Sequence, residues 1–301
     1  MPAAKISIVI IVKNDLGIAE TLQGVSTQVK KSGLKSEIIV VDASSPEFLA
    51  DIRARFPDVR WLPFTSKSGR RFTIPEQRNM GVREAVGDVV VFIDANCIPQ
   101  KHWFTNLVGP ILDESETMTA GTVVAKNPRT LVNLNSDDGN EKYLQSSPTI
   151  NLAFRRSIAV QVGGFDESYS YGSDVDFTWR CTDLGNRILF VRSATVMHDW
   201  GTFGEEVKRS ERYGRARAKL YLKHANRRKE LIGKESVMIP VYAGWLLGLP
   251  LTLLWWWYPL TILALLLKNA RHKPFRTVFL HLVYSFGFMR GLARLALRLP
   301  A

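Results

Sequence analysis

DVVVFIDANCIPQKHW, residues 88 to 103, is the stretch that decides the fold of this chain. The apolar run Val89 to Ile93 predicts a buried strand that ends at Asp94, and Pro99 rules out a simple continuation of that strand. Asp94 and Asn96 therefore lie two residues apart on a tight turn. In open α/β sheets, ligands bind beyond the carboxyl ends of the strands, and oxygen-bearing side chains on a turn can share one divalent cation. We interpret the turn as a metal and nucleotide-diphosphate site; an ordinary Asx turn is the alternative.

Two apolar segments before this stretch predict parallel strands, and polar residues follow each of them. Ile6 to Val12 is the first strand and Glu37 to Val41 the second, with a helix between them over Ile18 to Lys30. Strand, helix and strand in this order are typical of a nucleotide-binding parallel sheet. Asp42, at the end of the second strand, either hydrogen-bonds a ribose or base, or caps a helix over Pro46 to Phe56.

Arginines are concentrated in the segment that leads into the deciding stretch. Arg70 and Arg71 precede a predicted helix, and Arg78 lies within it. Arginine suits bidentate contact with phosphate, so this segment either neutralises a bound nucleotide or is a solvated basic loop. Residues 113–149 have no clear periodicity and predict a loop, either close to the second substrate or simply on the surface.

The charge of the chain is unevenly distributed. Residues 208–301 contain 18 Lys and Arg against 3 Asp and Glu, whereas residues 1–207 contain 22 against 25. A near-neutral domain with a basic tail favours an anionic membrane surface over nucleic acid as the partner. The two cysteines, Cys97 and Cys181, do not have the spacing of a metal finger, and a reducing compartment is expected. The first apolar run is too short for a signal peptide.

Six motifs carry a resemblance to a known family. They are, in chain order, ISIVIIVKND, EIIVVDASS, QRNMGVREAVGDVVVFIDANCIP, NLAFRRS, GGFDES and YGSDVDFTWR. In this order they resemble the inverting glycosyltransferases of family 2. The resemblance implies an α/β fold of the A type (GT-A-like), in which a mixed, mostly parallel sheet is flanked by helices. It implies a catalytic domain over residues 1–206 and transfer of a sugar from a nucleotide-diphosphate donor, with UDP, GDP or dTDP as the nucleotide.

The resemblance also implies which residues bind the donor and its metal. Asp94 matches the first Asp of the family's Asp-x-Asp motif, and Asn96 stands where a second Asp is usual. His198, at the end of a strand, reaches the metal or the diphosphate, although a structural role is equally open. The implied cofactor is Mg²⁺ or Mn²⁺. The residues implied to contact the donor are Val12, Asn14, Asp42, Arg71, Arg78, Asn79, Asp94 and Arg212.

The implied general base is Asp174, which matches the Asp of the family's Glu-Asp pair. Ser173 occupies the position of the Glu. Asp176 is the alternative base or a helix-capping carboxylate, and an N-cap is the alternative reading of Ser173 and Asp174. One carboxylate within hydrogen-bond reach of the acceptor hydroxyl suffices for a single displacement with inversion.

The tail predicts attachment to a membrane. Residues 207–236 form a basic amphipathic connecting helix in this interpretation, and residues 237–301 a membrane-attached helical region. Val237 to Leu267 contains no charge, but three prolines interrupt it, and Trp255 to Tyr258 is an aromatic cluster typical of the head-group level. Re-entrant or interfacial helices and a two-span hairpin are the two forms considered. Basic flanks place the catalytic domain on the cytoplasmic side.

The sequence therefore predicts a membrane-associated glycosyltransferase whose acceptor is a lipid-linked or membrane-proximal saccharide hydroxyl. Two alternatives remain open. A nucleotidyltransferase would need a Gly-rich, basic loop after the first strand, which KNDLG does not supply. A membrane scaffold or binding subunit with an impaired site is the other alternative, and Asn96 and Ser173 are the reason to keep it.

Overall fold

The computed structural model describes residues 5–66, 73–127, 142–232, 238–269 and 273–297. The chain divides into two compact units, Met1–Trp200 and Gly201–Ala301. The sequence places the end of the catalytic domain at residue 206, and that boundary stays a prediction.

One mixed β-sheet organises the N-terminal unit. Its strands in the described residues are β1 (Ile6–Val12), β2 (Ser36–Asp42), β3 (Arg60–Pro63), β4 (Val89–Ile93), β5 (Cys97–Pro99), β6 (Met118–Ala125), β7 (Tyr143–Leu144), β8 (Asn151–Arg155) and β9 (Ile188–His198). The spatial order is β3-β2-β1-β4-β8-β6-β9-β5, and β7 pairs with β9 outside this path. The first four strands in this order are parallel, and β8 is antiparallel to both of its neighbours. The predicted α/β fold with a mixed sheet is confirmed.

Helices cover both faces of this sheet. They are α1 (Ile18–Ser32), α2 (Ala50–Arg55), α3 (Ile74–Glu84), α4 (Trp103–Leu112), α5 (Arg156–Gln161) and α6 (Ser173–Asp183). Successive residues of β1 belong to different apolar clusters: Ile8 and Ile10 pack on one face, and Val9 packs on the other. A strand covered on both faces needs apolar residues at every position, which explains the unbroken apolar run of β1.

Two details of the N-terminal unit differ from the sequence-based expectations, and a third, the end of β4 before Pro99, agrees with them. Strand β6 lies within residues 113–149, where a loop was predicted, and it pairs with β8 and β9. Pro99 ends β5, a separate short edge strand that pairs with β9, because a proline is tolerated where no further ladder is required. The predicted helix over Pro46 to Phe56 is reduced to α2, so Asp42 does not cap it; the residue before its first turn is Leu49.

Helices also make up the C-terminal unit. They are α7 (Phe203–Lys223), α8 (Met238–Leu247), α9 (Ile262–Lys268) and α10 (Pro274–Ala296), with 3-10 helices at Ala225–Ile232, Leu249–Leu253 and Tyr258–Thr261. Helix α7 begins earlier than predicted because Thr202 and Glu205 form a capping box. It ends at Lys223, and the 3-10 helix Ala225–Ile232 follows it. Within the described residues, the connecting helix predicted over residues 207–236 is therefore two helical segments.

Glycines bring α7 and α10 into close contact. A Cβ atom on Gly214 would lie 2.0 Å from the carbonyl oxygen of Tyr284, and one on Gly287 would lie 2.2 Å from the carbonyl oxygen of Glu211. No side chain larger than hydrogen fits at these positions, so the two helix backbones approach each other directly. Among the described residues, no helix combines the length and the apolar character needed to cross a bilayer.

Candidate active site

The turn that follows β4 is held from α1. Thr21 donates a hydrogen bond from Oγ1 to the carbonyl oxygen of Ala95 (2.8 Å), and a Cβ atom on Gly17 would lie 3.1 Å from the Cβ atom of Asn96. The Asn96 side chain donates from Nδ2 to the carbonyl oxygen of Asp199 (3.3 Å). Asp94 therefore leaves the carboxyl end of β4 on a turn that is fixed by buried contacts.

His198 lies next to Asp94. It ends β9, where it pairs in register with Cys97 of β5, and its ring packs 4.3 Å from that of Trp200. Its Nε2 atom is 4.0 Å from Oδ2 of Asp94. The structure thus brings together two of the three predicted metal ligands, His198 and Asp94.

The Asp94 carboxyl lies in an environment that disfavours its charge. Burial raises its pKa above the ordinary value of 3.8, and the carboxylates of Asp174 and Asp15 act in the same direction, whereas His198 and Arg78 lower it. A bound cation would offset both the burial and the repulsion between these carboxylates.

The residues present fit a divalent cation shared with a ligand. Mg²⁺ is usually held by one or two carboxylates together with substrate phosphates, at about 2.1 Å from each oxygen. The 4.0 Å between Asp94 and His198 is short enough for one ion to contact both side chains. Within the described residues no group of three histidine, cysteine or acidic side chains could hold an ion. Phosphate oxygens would therefore complete the coordination.

The predicted donor-binding residues at the ends of β1 and β2 lie together. Val12 and Asp42 are partners in the parallel register, and the carbonyl oxygen of Val12 accepts from the backbone amide of Ala43 (2.9 Å). Asn14 has a φ of 51°, and its backbone amide donates to Oγ of Ser44 (2.8 Å). These contacts join the two strand ends into one polar rim.

Asp42 is buried in that rim. Its Oδ1 accepts from the amide of Ser44 (2.8 Å), and its Oδ2 accepts from Nη2 of Arg53 (3.2 Å). These two hydrogen bonds orient the carboxylate, and its contact with a ribose or base stays a prediction.

Arg78 of α3 connects the candidate general base to the rest of the site. Its Nη1 donates to Oγ of Ser173 (2.9 Å), and its Nη2 lies 3.9 Å from Oδ2 of Asp174. Asp174 also accepts at Oδ1 from the amide of Val175 (2.9 Å). Both residues begin α6, and the residue before them is Gly172 with a φ of 79°. The predicted N-cap role of Ser173 and Asp174 is wrong, because they are the first helical residues and the cap position is Gly172.

Asp176 differs from Asp174 in its surroundings. It is fully buried, and Arg180 donates to it from Nε (2.9 Å) while also donating to the carbonyl oxygen of Gly164 (2.7 Å). A carboxylate committed to such a pair is poorly placed to accept a proton from a substrate. The capping role considered for Asp176 is wrong as well, since the helix begins three residues earlier.

Asn79 faces the turn at Gly163 and Gly164, both of which have positive φ angles. It accepts from the amide of Phe165 (2.7 Å) and donates to the carbonyl oxygen of Phe165 and to Glu167 (both 2.8 Å). Its contact with the donor stays a prediction.

Two predicted donor-binding residues lie elsewhere. Arg71, like Arg70, falls outside the described residues. Arg212 lies on α7 of the C-terminal unit, and its donor contact stays a prediction.

Sequence reasoning missed two residues that shape the site. Asp15 accepts from the amide of Gly17 (2.8 Å) and adds a third carboxylate to the field around Asp94. Thr21 is buried and anchors the turn after β4. The position of Thr21 on the apolar face of α1 is a signal that could have found it, since a polar residue there needs a buried partner.

A model described as "Glycosyl transferase family 2" matches residues 7–165, a little over half of the chain. The chain belongs to glycosyl transferase family 2. A second model, "Glycosyl transferase family group 2", matches residues 122–290 and so extends into the C-terminal unit. The resemblance inferred from the six motifs is confirmed at the level of the family.

Two relatives show how far the similarity extends. The glycosyltransferase AglE of Haloferax volcanii is 24% identical over 234 residues, which cover 72% of this chain and 74% of the relative. The pre-mycofactocin glycosyltransferase of Mycobacterium tuberculosis is 28% identical over 170 residues, covering 52% of this chain and 36% of the relative.

Two solved structures share the fold. The mannosyltransferase PcManGT of Pyrobaculum calidifontis, in complex with GDP-Man and Mn²⁺, has a TM-score of 0.67 at 17% identity and covers 96% of this chain and 87% of its own. GalNAc-T7 with UDP, GalNAc and Mn²⁺ has a TM-score of 0.54 at 18% identity, covering 66% of this chain and 44% of its own. The GT-A-like α/β sheet is therefore confirmed.

Proposed function

We propose that this family member transfers a sugar, with inversion, from a nucleotide-diphosphate sugar to an acceptor hydroxyl. The observation that carries the proposal is the convergence of Asp94, His198, Arg78 and Asp174 at the carboxyl edge of the sheet. This edge is where open α/β sheets bind nucleotides. The structural neighbours solved with UDP and GDP-Man support a nucleotide-sugar donor.

In this proposal Asp174 is the general base. It accepts the proton of the acceptor hydroxyl while the hydroxyl oxygen forms a bond to the anomeric carbon of the sugar. The bond from that carbon to the diphosphate oxygen breaks on the opposite side, and the nucleoside diphosphate leaves with the bonding electrons. Asp174 suits this role better than Asp176, because its contact with Arg78 is long (3.9 Å) and 19% of its side chain is exposed.

Asp94 and His198 would hold a divalent cation, Mg²⁺ or Mn²⁺, with Asn96 as a third contributor. Such an ion neutralises the charge that develops on the leaving diphosphate. The Mn²⁺ in both structural neighbours supports this assignment. Arg78 would stabilise the same negative charge from the side of α3, since guanidinium groups form strong hydrogen bonds with phosphate.

The C-terminal unit supports a membrane-proximal acceptor and attachment to anionic lipids on the cytoplasmic side. Large apolar side chains between residues 247 and 275 lie exposed, with Leu253, Leu254 and Trp256 at 80% or more. The sequence has no acidic residue after Glu235, so the charged residues within this segment and after it are all basic. Apolar and aromatic side chains with a basic rim suit the head-group level of an anionic bilayer. Confinement there would raise the effective concentration of a lipid-borne acceptor.

The experiment measures release of nucleoside diphosphate by the purified chain. Sugars activated with UDP, GDP and dTDP are supplied in turn, with Mg²⁺ or Mn²⁺ and a membrane extract as the source of acceptor. We expect release with one class of donor and incorporation of labelled sugar into the lipid fraction. Absence of release with every donor would overturn the proposal and would revive the binding-subunit alternative, which the family match does not favour.

A further inference from the structure

Arg78 is a buried cation with few partners. Its side chain is 9% exposed, and among the described residues its guanidinium forms one hydrogen bond, to the neutral hydroxyl of Ser173 (2.9 Å). The carboxylate of Asp174 lies at 3.9 Å, and in the described part of the chain Nε of Arg78 has no hydrogen-bond partner. A guanidinium offers five N–H donors, so most of its capacity is unused.

Arg180 shows what a structural arginine looks like in the same unit. It donates from Nε to the carboxylate of Asp176 at 2.9 Å, and its two Nη atoms donate to the carbonyl oxygens of Val162 and Gly164. Its charge and its donors are satisfied by the protein. A buried charge without such partners is unfavourable, so partners supplied by a ligand would stabilise it.

The position of Arg78 indicates the charge of that ligand. The guanidinium packs over the ring of Phe165 (5.5 Å to the centroid) and lies 3.9 Å from the carboxylate of Asp174, and its charge lowers the pKa of Asp94. A diphosphate oxygen arriving at this edge of the sheet would occupy the unused donors. Planar, forked N–H groups match phosphate geometry.

The partner at position 173 decides how much of this charge reaches a ligand. Ser173 is buried, and its hydroxyl accepts a hydrogen bond without cancelling the charge of Arg78. A carboxylate at the same place would form a buried ion pair with Arg78 and neutralise it. Asn96, the other position at which the sequence motifs of the family usually have an acidic residue, likewise adds no negative charge to repel a diphosphate.

We propose that Ser173 determines donor affinity because it adds no carboxylate beside Arg78 beyond that of Asp174, so that the site binds a nucleoside diphosphate even without a divalent cation. This inference rests on the proposed function. Arg78 would contact the diphosphate directly, and Ser173 would act through Arg78 as a positioning residue.

The test is calorimetric binding of UDP, GDP and dTDP to the full chain, in EDTA and in Mn²⁺. We expect the wild-type chain to bind one of these nucleotides in EDTA. Ser173→Glu and Ser173→Gln introduce side chains of nearly equal size that differ in charge, and we expect the Glu variant to bind at least tenfold more weakly than the Gln variant. Arg83→Gln, on the exposed face of the same helix α3, is the control and should bind like the wild type.

Substitutions of Arg78 test the contact between Arg78 and Ser173 independently, in case the Ser173→Glu variant does not fold. We expect Arg78→Gln to weaken binding in EDTA at least tenfold and Arg78→Lys, which keeps the charge, to weaken it less. In the double variant of Arg78→Gln with Ser173→Glu, the losses should not add, because both remove the same charge.

The outcomes separate the two proposals. Binding to none of the nucleotides, with or without Mn²⁺, would overturn the proposed function itself. Binding in Mn²⁺ alone, equal binding by Ser173→Glu and Ser173→Gln, or unchanged binding by Arg78→Gln would overturn this inference while the proposed function stands.

Discussion

The two units of this chain treat apolar side chains in opposite ways. In the N-terminal unit, both faces of the sheet are covered by helices, and the apolar residues of β1, β2 and β4 are buried except for Ile11, which is partly buried. In the C-terminal unit, Leu253, Leu254 and Trp256 lie exposed, and α9 contains no buried residue. Burial of apolar area is the main favourable term in folding, so an exposed surface of this kind points to a partner outside the chain.

The residues of the proposed transfer lie in the N-terminal unit, and those of the proposed membrane attachment lie in the C-terminal unit. The N-terminal unit has carboxylates, a histidine and a buried arginine around one strand end, as a reaction requires. The C-terminal unit has a basic, apolar surface with no acidic residue after Glu235. Variants that change only sugar transfer or only binding to lipid vesicles would support this division between the units. Variants that change both would contradict it.

The largest effect is expected from Asp174→Asn. An amide cannot accept the proton of the acceptor hydroxyl, so the rate of transfer should fall by about 10²- to 10⁴-fold. Binding to lipid vesicles should not change. Initial rates of nucleoside diphosphate release measure the rate of transfer, and flotation with vesicles measures lipid binding. Asp183→Asn, exposed at the other end of α6, is the matched control, and wild-type turnover by Asp174→Asn would refute the base assignment.

Asp176→Asn should destabilise the N-terminal unit. Asp176 is fully buried against Arg180, and removing one partner of a buried ion pair typically costs about 3–5 kcal/mol. Arg180 keeps two carbonyl partners and 22% exposure of its side chain, so we expect a loss near 3 kcal/mol. Urea unfolding measures it, again with Asp183→Asn as control. A loss below about 1 kcal/mol would mean that the pair contributes no more than a surface ion pair.

The double variant Leu253→Glu and Leu254→Glu should weaken binding to anionic vesicles by about 10²-fold. Each leucine that enters an apolar environment contributes about 1.5–3 kcal/mol, and the added carboxylates repel anionic lipids. Transfer to a water-soluble acceptor should not change. Val160→Glu replaces an exposed apolar residue of the N-terminal unit and is the control. Equal vesicle binding by both variants would break the division between the units.

A smaller effect concerns acid sensitivity of the C-terminal unit. Burial lowers the pKa of His281 below its ordinary value of 6.5, and Lys268 acts in the same direction. The unfolded chain therefore binds more protons than the folded chain as the pH falls through about 6.5, so stability decreases on acidification and returns at higher pH.

His281→Phe isolates this effect. The variant keeps a ring against Tyr242, 5.2 Å away in the native packing, and removes the titrating group. Thermal unfolding at pH 7.5 and pH 5.5 should show a smaller loss on acidification for the variant, by a few degrees at most. An equal or larger loss would mean that other groups determine the acid sensitivity.

The elements that could be predicted from sequence were those with strong local signals. Four predicted strands are confirmed: β1, β2, β4 and the strand that ends at His198. They could be predicted because each has an unbroken apolar run or ends in a polar residue at the site. Strand β6, MTAGTVVA, was missed because small and polar residues weaken its pattern. It is a strand because β8 and β9 lie on either side of it, and a Cβ atom on its Gly121 would lie 2.0 Å from the carbonyl oxygen of Ala194.

In the candidate site, too, only the residues with a strong local sequence signal could be predicted. Asp94 could be predicted because the residue after a buried strand lies at the edge of the sheet, and the order of the motifs predicted Asp174. The different surroundings of Asp174 and Asp176 could not be predicted, because two carboxylates two residues apart look alike until Arg78 and Arg180 are placed beside them.

The amino-acid sequence by itself determined the family, the strand that ends at Asp94, and the contrast between a near-neutral domain and a basic, apolar tail, since these depend on local pattern and composition. Only the tertiary structure decided that Arg78 faces Ser173 and Asp174, that Asn79 holds the turn before Phe165, and that His198 lies beside Asp94. Contacts between residues far apart in the chain follow from how helices and strands pack. The charges that surround Asp94 and Asp174 are therefore set by that packing.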